Sequence, residues 1–74
     1  MKREVKTYDL KNGIGIDCVT IENEYFGTKK YEVNVVMLCV PWREEMEGYK
    51  IAKPEDANVK FKEMVEKYKN MKMW

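Results

Sequence analysis

The ten residues from Tyr31 to Val40, Tyr-Glu-Val-Asn-Val-Val-Met-Leu-Cys-Val, narrow what this chain can fold into more than any other stretch. They begin in alternation, Tyr31, Val33 and Val35 against Glu32 and Asn34, and continue apolar on both sides from Val36 to Val40. Alternation among β-branched residues specifies a strand buried on one face, and an unbroken apolar run specifies one covered on both. Pro41 ends the run, because proline has no amide to give a neighbouring strand. The stretch therefore reads as the central strand of a small sheet, over about residues 31–40.

The residues before it supply two partners. A first strand covers about residues 4–10 and a second about 14–22, with Asn12-Gly13 between them. Both Asn and Gly tolerate the positive φ that a two-residue type I′ turn demands, so a hairpin is expected there. Ile14, Ile16, Cys18 and Thr20 point to one side of the second strand; Gly15, Asp17, Val19 and Ile21 point to the other. Phe26-Gly27-Thr28-Lys29-Lys30 reads as the next turn. Centred on Thr28-Lys29, it sets Cys18 opposite Cys39; centred on Gly27-Thr28, it sets Cys18 opposite Met37. In both registers the two cysteines share a face.

After Pro41 the pattern breaks. Residues 41–48 read as a charged connection turning at Gly48, and residues 49–52 are a candidate short fourth strand in which Tyr49 and Ile51 alternate correctly. A helix follows over about residues 55–71. Pro54 suits a first turn, where the missing amide has no partner to lose, and Glu55 and Asp56 sit at the positive end of the dipole. Ala57, Phe61, Met64, Val65, Tyr68 and Met71 recur at three- and four-residue spacing as one apolar stripe.

These elements predict an α+β fold in a single domain, residues 1–74: an antiparallel meander of three or four strands with one C-terminal amphipathic helix packed on one face. The helix is expected over Tyr31, Val33, Val35, Met37 and Cys39, with Ile14, Ile16 and Cys18 beside them. Val19, Ile21, Val36, Leu38 and Val40 are then left on the opposite face as an apolar patch with no cover.

Charge and residue types restrict the chemistry. Fourteen basic and 13 acidic residues give a net charge of +1. A groove-reading DNA binder usually carries a basic excess, and a DNA mimic needs an acidic one. There is no histidine, hence none of the commonest general base or metal ligand. The two cysteines form no Cys-x-x-Cys motif, and Gly13-x-Gly15 is followed by neither a lysine nor a helix start. No enzymatic activity, metal or cofactor is expected. No apolar run approaches the roughly 20 residues of a membrane span. Met1-Lys2-Arg3-Glu4-Val5 leads into no apolar segment, so a cytoplasmic protein with reduced thiols is expected.

A three-stranded sheet followed by one helix, with Pro54-Glu55-Asp56-Ala57 and then Phe61 at the helix start, resembles the layout of the plant AP2 domain and of the arm-binding domains of tyrosine integrases. That resemblance implies nucleic-acid binding, for which Lys2, Arg3, Lys6, Lys11, Lys29 and Lys30 are the candidate basic edge. The reading strands of those domains carry arginines where this sheet has Val and Leu. A short chain rich in Lys, Glu, Met and Tyr also resembles the small accessory proteins of phages and mobile elements, a group that includes anti-CRISPR and other anti-defence inhibitors. That resemblance implies a stoichiometric inhibitor that masks a surface of a host enzyme. The candidate partner-binding residues are Trp42, Arg43, Glu44, Glu45 and Glu47 in the connection, with Val19, Ile21, Val36, Leu38 and Val40 on the uncovered face. Tyr8, Tyr25 and Tyr49 add amphipathic contact area. A homodimer that covers the same face is compatible with this use. Trp74 docks on the helix edge or joins an interface, both readings being open.

Overall fold

The computed structural model describes residues 1–71, so Met73 and Trp74 lie outside the described residues. Strands β1 (Lys2–Asp9), β2 (Ile14–Asn23), β3 (Thr28–Met37) and β4 (Glu44–Ile51) precede a single helix, α1 (Pro54–Tyr68). The strands stand in chain order in one antiparallel sheet, and α1 packs across one face of it. The α+β meander with a C-terminal helix is thus the fold of the chain, with four strands rather than three. No helix among the described residues is long and apolar enough to cross a membrane.

Alternation sorts the core. Ile16 faces Val35 across the β2–β3 ladder and Cys18 faces Val33; Ile14, Ile16, Val33 and Val35 are buried beneath Met64 and Tyr68 of α1. Burying each of these aliphatic side chains contributes roughly 1.5–3 kcal/mol. Leu10, Met46, Ile51, Ala57, Phe61 and Val65 surround them. The helix therefore covers the expected face, built on Ile14, Ile16, Val33 and Val35.

The turns differ from their predicted forms. The first is a three-residue connection, closed by the Leu10 amide donating to the Ile14 carbonyl at 3.0 Å, with positive φ at Lys11 (63°) and Gly13 (91°). Asn12 between them is buried. Its Nδ2 donates to the carbonyls of Tyr68 (2.7 Å) and Met71 (2.5 Å), and its Oδ1 accepts from the Ile14 amide at 3.1 Å. The residue expected at the tip of a turn instead caps the far end of α1, whose last carbonyls have no partner within the helix. The helix stops at Tyr68 rather than at Met71.

The second turn comes earlier than expected. Asn23 Oδ1 accepts from the amides of Tyr25 (3.1 Å) and Phe26 (3.3 Å), which bends the chain at once, and Gly27 at φ 66° returns it to β3. Cys18 consequently faces Val33, not Cys39 or Met37. Strand β3 ends at Met37, so Cys39 lies beyond it in an exposed loop, and no disulfide joins the two cysteines.

The largest correction concerns residues 44–48, read as a charged connection. They belong to β4, which begins at Glu44. A register shift between Val35 and Val36 lets Val35 face Glu47 and Val36 face Glu45, leaving Met46 as the extra residue of a bulge. The bulge breaks the two-residue period and hides the strand. Gly48 makes no turn: it lies within β4 opposite Asn34, with the Glu45 carboxylate beside it.

Candidate protein-interaction surface

The face opposite α1 is covered by its own chain. Beyond β3, the Leu38 amide donates to the Gly13 carbonyl at 2.7 Å, and the Leu38 side chain lies over Gly15, where an added Cβ would be 2.7 Å from Cδ1. Glycine at position 15 is what allows this approach. The chain then turns through Val40-Pro41-Trp42-Arg43, with Arg43 at φ 45°. The Arg43 Nη2 donates to Asp17 Oδ1 at 2.8 Å and to Thr7 Oγ1 at 3.3 Å, and the Thr7 hydroxyl donates to the same Asp17 oxygen at 2.5 Å. One guanidinium thus ties the β3–β4 loop to β2 and β1. A charge-assisted contact to a largely buried carboxylate is among the stronger polar contacts a small domain can make.

The uncovered apolar patch expected here does not form. Val19 is 2% exposed and Val36 6%, while Ile21, Leu38 and Val40 are half-buried. Leu38 and Val40 lie in the loop, not on β3. Of the acidic residues, Glu44 and Glu45 are exposed on β4. Glu47 is on the other side of the sheet, turned there by the bulge. Tyr49 Oη donates to its Oε1 at 2.5 Å, Lys67 Nζ to its Oε2 at 3.0 Å, and the Tyr68 hydroxyl also donates to Oε2. The hydrogen bonds from Tyr49 and then Lys67 hold the Glu47 carboxyl below the usual range, and the same bonds raise Tyr49 and Lys67. Glu47 therefore joins β4 to α1, on the face opposite to Glu45.

Trp42 is 70% exposed at the apex of the pinned loop. Arg43 beside it is committed to Asp17. The named tyrosines divide in the same way. Tyr8 stacks on Phe61 with ring centroids 4.6 Å apart, and Tyr49 is held by Glu47 with Lys60 Nζ 4.4 Å from its ring centre. Tyr25 remains open: it and Phe26 form an edge-to-face pair at the tip of the β2–β3 hairpin, 89% and 72% exposed. Sequence pattern alone does not single out Phe26 as a contact residue. The available signal was its place in a turn, since turn tips project into solvent.

Phe26 also borders a groove of about 740 Å³, whose lining includes Ile21, Lys30, Glu32, Lys50 and Ile51. Burial, followed by the neighbouring Asp17 carboxylate, pushes the Cys18 thiol up, away from the thiolate a nucleophile requires. Among the described residues, no three His, Cys, Asp or Glu side chains are placed to hold a metal ion. Compared with protein-family models, curated proteins and solved structures, the chain matches none.

Proposed function

We propose that this chain is a non-catalytic protein-binding module that works in the cytoplasm by occupying a surface of its partner. The observation that carries the reading is Trp42, largely exposed on a loop that Arg43 fastens to Asp17. Tryptophan is the residue type most enriched at the energetic centre of interfaces, and a loop held in place before binding loses less entropy on association. Glu44 and Glu45, exposed just beyond it, add negative charge complementary to a basic groove. The partner class we infer is a nucleic-acid-processing enzyme of a host defence system, which the chain would inhibit by masking, as the phage accessory proteins it resembles do. Affinity capture from the native host, followed by titration of the captured enzyme, tests this. Trp42→Ala combined with Glu44→Lys and Glu45→Lys should abolish binding with the circular dichroism spectrum unchanged. Undiminished affinity in that variant would place the contact on another surface.

A further inference from the structure

Strand β1 is exposed along its whole length, from Lys2 to Asp9, and forms one edge of the sheet. It pairs with β2 without a bulge. The Leu10 amide bonds to the Ile14 carbonyl, and in an antiparallel ladder such bonded pairs alternate. Even-numbered residues of β1 therefore direct their backbone groups at β2. Those of Arg3, Val5, Thr7 and Asp9 point outward along the free edge. The opposite edge is different: β4 carries a bulge at Met46 and a glycine at position 48, both of which disrupt pairing with another strand.

We infer that the β1 edge takes a second copy of this chain, antiparallel about a two-fold axis at Val5, so that two four-stranded sheets join into one of eight. The charge pattern selects both the partner and the register. Centred on Val5, Glu4 of each copy faces Lys6 of the other, Arg3 faces Thr7, and Lys2 faces the Tyr8 ring. Both close acid–base pairs fall at positions that are not backbone-bonded, where facing side chains approach most nearly. Val5 and its twin, Arg3 and Thr7 exchange the outward backbone bonds. The other symmetric registers fail on charge or length. Centring on Arg3, Glu4 or Lys6 sets that residue against its own copy. Centring on Thr7 leaves much of β1 without a partner and sets Arg3 against Lys11. Lysines on an edge ordinarily discourage pairing; here an acid in the right place turns the same charges into a self-complementary code. Among the described residues, Phe61 at Tyr8 and Arg43 at Thr7 reach β1 from outside the sheet, and every residue of β1 is still exposed.

Equilibrium sedimentation of the full chain from micromolar to millimolar concentration should reveal a species of twice the 8.9 kDa chain mass. Glu4→Lys alone and Lys6→Glu alone each place like charges opposite one another twice, and each should weaken association about tenfold. An equimolar mixture of the two variants sets every facing pair opposite in sign again and should restore the dimer. A wild-type chain that stays monomeric throughout overturns the proposal. So do single variants that associate as strongly as the wild type, or a mixture that associates no better than its components. If either charge variant fails to fold by circular dichroism, Val5→Pro decides. It removes only an outward amide, so a folded monomer is expected, and a Val5→Pro dimer overturns the proposal.

Discussion

The two faces of the sheet are held down by different forces. Beneath α1, Ile14, Ile16, Val33 and Val35 are buried by apolar contact with Met64 and Tyr68. On the other face a loop does the covering, with Leu38 lying over Gly15 and the Arg43 guanidinium on Asp17 and Thr7. Burial of aliphatic area is not screened by salt, whereas an ion pair with one exposed member is. A small sheet can thus do without a second layer if a loop is long enough to cross it and one charge is available to fasten the loop. The helix-covered face holds the buried aliphatic cluster of the domain, and the loop-covered face is fastened by an ion pair.

Four substitutions test that contrast. The largest effect belongs to the helix side. Ile16→Ala should cost about 3 kcal/mol in urea unfolding, by lost transfer energy and the cavity left behind, a large share of the stability of so short a chain. Leu38→Ala, half-buried over Gly15, should cost clearly less; equal losses would erase the distinction between the faces. Next in size is Arg43→Ala, expected to cost about 1 kcal/mol at low salt and less at high salt. In a Trp74→Phe background, the emission anisotropy of Trp42 should fall at the same time as its loop is released. A cost that does not change with salt would mean the loop is held by packing alone. Smallest is Glu47→Gln. Because the folded-state Glu47 carboxyl is held below its unfolded range, its contribution is present at neutral pH and is lost as pH falls through the carboxylate range. Lys67 and Tyr49 are raised, so their share is lost instead as pH climbs past their ordinary values. Glu47→Gln should therefore flatten both limbs of the stability–pH curve, and a curve of unchanged shape would show that the cluster contributes nothing.

The helix-covered face was legible in the sequence because two periods agree there: alternation through Ile14, Ile16, Val33 and Val35, and the three-to-four spacing of Phe61, Met64 and Tyr68. What was not legible depends on contacts distant in sequence. The bulge at Met46 makes Glu44-Glu45-Met46-Glu47-Gly48 look like a loop, since local alternation is the only evidence for a strand before its partner is known. The register of the central hairpin turned on Asn23, whose side chain starts the reversal ahead of the glycine. The bare patch around Val19 and Val36 was inferred from counting faces and elements. Its closure depends on Gly15 admitting Leu38 and on Asp17 and Arg43 standing 2.8 Å apart, contacts that no local pattern encodes. Of the candidate contact residues, Trp42 is exposed, while Arg43 and Glu47 are engaged in contacts within the chain.

The burial of Asn12 ties the two ends of the chain together. Its side-chain amide, near the start of the chain, satisfies carbonyls at Tyr68 and Met71, near the end. The three hairpins pair strands that are neighbours in sequence, whereas this contact closes a loop of nearly the whole chain. Its state reports whether the sheet and the helix have met, and hydrogen exchange in the final turn of α1 would read it directly.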